Sequence, residues 1–469
     1  MPQSAMTQTF STHVRAHLAL GLPLIGSHMA QMAIGVTDTV MLGWYDVEAL
    51  AALVLANTAY MALFLFGSGF AFAVMPLVSS AAEKSDETRV RRVTRMGLWM
   101  SVGFALAILP VLWFSAPLLV ALGQDPALAE GAQEYLRIMG WGVIPALAVM
   151  VLKSYLSALE RTQVQLLVVL AAAAANAVIN YALIFGHWGM PELGIRGAAI
   201  ASLAVQAISV LALGLYATRF FPSHRLFHRL WRPDWEALRG VAAMGGQIGL
   251  TVLAEVGLFT FASILVGLLG TVALAAHGIA LQLASISFMV PLGLSNAATV
   301  RAGRAYGRGD AEGLRSGARA ALALGVGWAA IAAVLFVALP EVLVTLYIDP
   351  DEPLRAEIVA LGRGLLIVAA LFQLADATQV NAIALLRGMQ DTRVPMWIAA
   401  ASYWLIGASS AWVLGIGLGF GAVGVWGGLV AGLTAAALAL TRRFWLRSAT
   451  VSPETAQPVE PPPLAGRER

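Results

Sequence analysis

Residues 18–43 read LALGLPLIGSHMAQMAIGVTDTVMLG, a run with one formally charged side chain, Asp38. An apolar run of this length is long enough to cross a bilayer as a helix. Hydrocarbon offers backbone amides no water, and a helix satisfies them internally. The same run places a carboxylate well inside the span, which costs roughly 2.5–3.5 kcal/mol on insertion scales. The two readings, a helical span and an expensive charge within it, set the questions for the rest of the chain.

Eleven further apolar segments follow, at about 50–80, 96–120, 136–158, 164–186, 195–217, 241–269, 273–300, 318–346, 364–386, 395–418 and 421–440. They are rich in Ala, Leu, Val and Gly, without the alternation of a β-barrel. Small residues let helix backbones approach closely in lipid. Composition agrees. Of the 469 residues, 59% are hydrophobic and 12% charged, about half the ~25% charge of soluble domains, and mean hydropathy is +0.78. This excludes an ordinary soluble enzyme and a disordered chain. A net charge of +3 argues against a nucleic-acid partner, and with no cysteine there is no disulfide, Cys-based zinc site or thiol nucleophile. Met1–His17 is polar and the first span is too long for a signal-peptide core, so no cleavable signal is expected.

The loops give an independent reading. Segments 1–17, 81–95, 159–163, 218–240, 301–317, 387–394 and the tail from 441 hold 23 of the 29 Lys and Arg. The loops on the other side hold two, Arg355 and Arg363. By the positive-inside rule both termini lie in the cytoplasm, which requires an even number of spans. Trp44, Trp188 and Trp445 fall near span ends, as interfacial anchors do. Segment 218–240, with FHRLWRPDWEALR, is the longest interior polar stretch and divides the spans six and six. The expected layout is a cytoplasmic N-terminus at 1–17, one lobe at 18–217, a cytoplasmic linker at 218–240, a second lobe at 241–446 and a disordered Pro-rich tail at 447–469.

The halves repeat. Ala49-Leu50-Ala51-Ala52 recurs as Ala273-Leu274-Ala275-Ala276, and Asp125-Pro126 as Asp349-Pro350, both at an offset of 224. Thr162 pairs with Thr392, and Gly194 and Gly197 with Gly424 and Gly427, at 230. A repeat displaced by six helices keeps its topology, so the two bundles should be related by an axis along the membrane normal. Transporters are built this way, with substrate handled between halves that rock.

Three acidic residues fall well inside the spans: Asp38, Glu255 in the seventh and Asp376 in the tenth. None has Lys or Arg within one helical turn. Intramembrane carboxyls mark ion pathways and proton relays, and with amide or hydroxyl oxygens they also suit a hard monovalent cation. Polar neighbours at helical spacing support a polar cavity for substrate: Gln31 with Asp38, Thr251 with Glu255, Gln373 and Gln379 around Asp376, and Asn176 with Asn180. Gln282 adds an amide in the eighth span. Each amide alone also suits an interhelical hydrogen bond. The carboxylates do not repeat: at 224 Asp38 matches Ala262 and Glu255 matches Gln31, and at 230 Asp376 matches Ala146. The lobes should therefore have different jobs. His28 and His277, also within spans, read as packing or hydrogen-bonding residues, and Lys153 as a snorkelling one.

GVTDTVMLG (35–43), NAVINYALIFGHWGMPELGIRGAAIAS (176–202), AEVGLF (254–259), AAHGIALQ (275–282), QLADATQV (373–380) and LRGMQDTRVP (386–395) together resemble the multidrug and toxic compound extrusion (MATE) family, NorM-like branch. The resemblance runs from about His17 to Arg447. It implies an all-α fold of twelve helices, two six-helix lobes in a V, in the bacterial inner membrane. It implies efflux of lipophilic organic cations in exchange for Na⁺ or H⁺, with no cofactor and a monomer among membrane lipids. Asp38, Asn176 and Asn180 match an N-lobe polar site, and Glu255 and Asp376 match the C-lobe cation site, where they would be the Na⁺ ligands. One position departs: Phe372 stands where a tyrosine is often found, four residues before the tenth-span Asp. The lost hydroxyl weakens the case for Na⁺ and leaves H⁺ open. The rival within the superfamily is a flippase of lipid-linked precursors, which would carry basic residues in the cavity. An enzyme is not expected, for no nucleophile–base pair is visible, and no GxxxxGK[ST] loop is present to use a nucleotide.

Overall fold

The computed structural model describes residues 10–452. Among them are twelve helices long and apolar enough to cross a membrane, and no strand. The first half comprises α1 (Phe10–Tyr45), α2 (Val47–Glu83), α3 (Glu87–Trp113), α4 (Pro126–Ala158), α5 (Thr162–Phe185) and α6 (Gly194–Phe220). The second half comprises α7 (Trp235–Gly267), α8 (Thr271–Arg308), α9 (Ala311–Ala338), α10 (Arg355–Gly388), α11 (Arg393–Gly417) and α12 (Gly421–Ser448). Aspartates start many of them. The carboxylates of Asp46, Asp86, Asp125, Asp234 and Asp310 accept backbone N–H groups in the first turns of α2, α3, α4, α7 and α9, satisfying donors that a helix start leaves free.

The helices overhang the expected spans at many ends, because capped, charged turns continue an α-helix that composition alone cuts short. Thus α1 begins at Phe10, inside the segment read as a polar terminus, and α12 reaches Ser448, inside the segment read as a tail. The rest of the expected tail, from 453, lies outside the described residues. Two spans are broken. The third, read as 96–120, ends at Trp113, and a short helix, Ser115–Ala121, follows. Pro117 has no N–H to give Trp113, and its ring would meet that carbonyl. The ninth, read as 318–346, ends at Ala338, and Pro340 opens the short helix Pro340–Thr345, where a missing N–H costs nothing. The breaks fall at corresponding places in the two halves.

In the first half α4 packs on α2, α3 and α6, and α1 on α5. In the second half α10 packs on α8, α9 and α12. A large buried cluster containing Leu258, Leu365, Trp426 and Leu433 belongs wholly to the second half. The halves meet chiefly through α1 and α2 on one side and α7 and α8 on the other, with α3 also against α7 and α1 against α9. There the core is shared: Val241, Met244 and Ile248 of α7 join Ala71, Val74 and Val78 of α2.

Twelve alternating helices bring Phe10 and Ser448 to one face, the terminal face. The contacts between the halves lie on its side of the helices. Gly69 of α2 sits so close to α7 that an added Cβ would lie 2.3 Å from the Gly245 carbonyl oxygen. His17 Nε2 donates to the Leu294 carbonyl at 3.0 Å, His13 Nδ1 accepts from Arg301 at 2.9 Å, and His28 Nε2 accepts from Asn296 at 3.0 Å. Glu83 at the end of α2 pairs with Arg304 at 3.5 Å and Arg308 at 2.8 Å, and Arg304 also pairs with Glu160 at 3.3 Å. These form a clasp from the terminal face to about mid-depth.

Candidate functional site

Asp38 lies ten residues beyond His28 on α1, about 15 Å farther from the terminal face. The clasp therefore ends below it. Its side chain is 8% exposed. One carboxylate oxygen accepts from Asn180 Nδ2 at 2.5 Å and the other from Ser202 Oγ at 3.2 Å. Asn180 Nδ2 also donates to Asn176 Oδ1 at 3.2 Å. The four-residue spacing on α5 puts both amides on one face. Buried Tyr135 is within electrostatic reach of Asp38 and of Tyr60. Every named partner is neutral, so an ionised Asp38 keeps one uncompensated charge until a proton or a cation joins it. Asn180 Oδ1 and Asn176 Nδ2 are buried without a partner, leaving hydrogen-bonding capacity at the same point.

In the second half Glu255 is partly buried and Asp376 buried, and the two interact electrostatically. Arg387 and Tyr403 share their field. Asp376 Oδ1 is buried without a hydrogen-bond partner. Gln379 Nε2 donates to the Tyr403 hydroxyl, while Gln379 Oε1 is buried and free. Tyr403 sits in a π-helical stretch of α11, Ser402–Ala408, and such stretches often mark functional places in helices.

The other expected cavity residues divide. Gln31 and Gln282 are exposed. Thr251 is buried and donates to the Gln247 carbonyl at 2.8 Å, and Gln373 Nε2 donates to the Ala284 carbonyl at 3.1 Å. Phe372 is buried in an aromatic stack, edge-on to Trp426 at 5.4 Å and to Phe259 at 5.8 Å. His277 takes the Trp426 indole N–H on Nδ1 at 3.0 Å, so its Nε2 carries the proton toward Ser263 Oγ at 2.9 Å. Sequence reasoning missed Ser202, Tyr403 and Arg387. By composition Arg387 falls in a loop; it closes α10 instead, because the helix runs on to Gly388.

Membrane-length helices in two repeated halves, with buried carboxyls beside unpaired polar atoms, define a polytopic membrane transporter rather than an enzyme. The chain belongs to the MatE family, whose model matches residues 23–182 and again 248–413. The two matches are displaced by 225 residues at their starts and 231 at their ends, close to the internal repeat. Over 450 residues the chain is 48% identical to a "Probable multidrug resistance protein NorM" of Rhizobium meliloti, covering 95% of this chain and 96% of that one. A protein of the same name from Agrobacterium fabrum is 45% identical over 437 residues, 93% of this chain and 94% of that one. Among solved structures, the eukaryotic MATE transporter AtDTX14 superposes with a TM-score of 0.84 at 18% identity, covering 96% of this chain and all of that one. A MOP superfamily transporter from Pyrococcus furiosus gives 0.82 at 18% identity, covering 94% and 96%. At such identity these two speak for the fold alone.

Proposed function

We propose that this protein exports lipophilic organic cations from the bacterial cytoplasm by antiport against Na⁺ or H⁺. The 6–6 layout serves as two lobes, 18–217 and 241–446, joined through 218–240, with both termini cytoplasmic by the arginine bias of the loops. The terminal face is then the cytoplasmic face, and a clasp there belongs to an outward-facing state, the one in which drug leaves and the ion enters. The observation that carries the reading is Asp38, a buried carboxyl met only by neutral donors, with free amide atoms beside it. Such a group exchanges one positive charge for another at little cost. Glu255 and Asp376 serve as a second cation or proton site, and Arg387 supplies a fixed positive charge near Glu255. Coupling follows when drug and ion compete for these groups or favour different states. Acidic rather than basic side chains at mid-span favour cationic cargo over lipid-linked precursors.

Dye efflux from proteoliposomes, with Na⁺ and pH gradients imposed separately, tests both parts. Efflux should follow one gradient and fall to background in Asp38→Asn, and in Asp376→Asn with Glu255→Gln, at unchanged protein levels. Undiminished efflux in these variants would remove the coupling role. Efflux of a lipid-linked sugar instead of a cation would replace the cargo.

A further inference from the structure

Segment 218–240 is docked, although sequence reads it as a connection. Arg95 of α3 donates to the carbonyls of Arg229 at 2.5 Å and Arg232 at 3.0 Å, and Trp99 Nε1 donates to the Leu230 carbonyl at 2.7 Å. Arg92 holds both acids that follow, Asp234 and Glu236. His224 is anchored at 2.6 Å to the Tyr155 hydroxyl, and Leu226 is buried in the core.

This docking leaves a charge imbalance. The two acids of the segment are taken by Arg92, while Arg229 and Arg232 have no ion pair among the described residues. Their carbonyls draw Arg95 in, so Arg95 and Arg232 share one electrostatic neighbourhood with Arg91 and with Asp234, the acid that Arg92 already pairs. Arg95 Nε is buried without a partner. Beside these cations the surface is aromatic: Trp231 is 76% exposed and Trp235 64%, and Trp99 also reaches the surface. One acid shared among Arg91, Arg92, Arg95 and Arg232 leaves positive charge in excess, which a further anion would offset. Tryptophans at the end of membrane helices lie at the depth of lipid headgroups, and guanidinium groups take a phosphodiester in two parallel hydrogen bonds.

We propose that the exposed Arg229 and Arg232, whose carbonyls Arg95 holds, bind with Trp231 the headgroup phosphate of an anionic phospholipid on the terminal face. The lipid, rather than a soluble phosphate, is the occupant because the indoles give its glycerol and upper chains an apolar bed. Bound lipid completes the fastening of segment 218–240 to α3, and so steadies the only covalent connection between the halves.

Native mass spectrometry of the full chain tests this, titrating dioleoyl phosphatidylglycerol against dioleoyl phosphatidylcholine of the same chain length. Phosphatidylglycerol should be retained and phosphatidylcholine lost. With each arginine near the surface supplying about a fivefold preference, Arg229→Gln/Arg232→Gln should weaken retention roughly twenty-five-fold. Trp231→Ala alone should weaken it in the same direction. An Arg442→Gln/Arg447→Gln variant, which loses equal charge on the same face, should bind as before. Soluble glycerol phosphate should not displace the lipid. Full retention in the Arg229/Arg232 variant, or an equal loss in the Arg442/Arg447 variant, overturns the site. Displacement by glycerol phosphate at equal concentration overturns the lipid as its occupant.

Discussion

Glu83→Gln should loosen the clasp while leaving its shape. Glu83 pairs with Arg308 at 2.8 Å and Arg304 at 3.5 Å, and its side chain is 20% exposed. At 3.5 Å and an effective dielectric near 20, two unit charges attract by roughly 5 kcal/mol. Desolvation, side-chain ordering and salt offset most of that, and pairs with this much solvent contact contribute about 0–1 kcal/mol each. Arg304 keeps Glu160 at 3.3 Å. Losing both Glu83 pairs should therefore cost the clasped state up to about 2 kcal/mol, a shift of up to roughly thirtyfold toward the released state. The chain contains no cysteine, so the native sequence needs no alteration before labelling. Val54→Cys and Ile264→Cys put spin labels on exposed positions near the far ends of α2 and α7. Pulsed electron resonance should show a shorter-distance population growing in Glu83→Gln in proteoliposomes. A distribution identical to that of the parent, with and without an ion gradient, refutes the idea that these pairs hold the halves together.

Gly69→Ala should act on the same equilibrium more strongly. Its Cβ would meet the Gly245 carbonyl at 2.3 Å, backbone against side chain, and overpacking costs about 1–3 kcal/mol. The same labels should report the shift, and a silent Gly69→Ala counts against backbone contact there. Arg387→Gln removes a fixed positive charge from the Glu255 field. A unit charge on the order of 10 Å away contributes about 1.5 kcal/mol at that dielectric, roughly tenfold. Half-maximal ion concentration for efflux should fall by about that factor, and an unchanged value excludes the electrostatic role. The docked segment should respond to acid. Burial holds His224 below the ordinary histidine range, and Arg92 beside Asp234 holds its carboxyl below the usual carboxylate range. Both take up protons more readily when undocked, so docking is complete above about pH 6.5. It weakens first through His224 and then, below about pH 4, through Asp234. A spin label at Ser223→Cys should gain mobility between about pH 7.5 and 5.5, whereas a flat response removes His224 from the docking.

The sequence made the number of spans, the repeat and the Asn176–Asn180 pair legible, because each leaves a signature in the chain: unbroken apolar length, matched motifs at offsets of 224 and 230, and polar residues at helical spacing; the family resemblance joined Asp38 to that pair. What it hid depends on distant residues or on single backbone atoms. Ser202 is one serine in an apolar helix, and only α6 lying against α1 gives it meaning. Arg387 looked like a loop charge because composition does not show how far α10 continues. Phe372 counts with the cavity only through the family's tyrosine at that position, yet shape places it between Trp426 and Phe259. The breaks at Pro117 and Pro340 were readable from the rule for proline, but apolar length outweighed them.

Where α2 crosses α7, Gly69, Gly245 and Gly249 let main chain approach main chain, flanked by the Phe66 and Phe70 rings and by the shared packing of Val241, Met244 and Ile248. Interlocked side chains would have to disengage one by one whenever the protein changed shape, since dense interiors resist sliding. At the glycines there is little to disengage, so a tilt centred on them disturbs fewer side chains than one about a crossing of large residues.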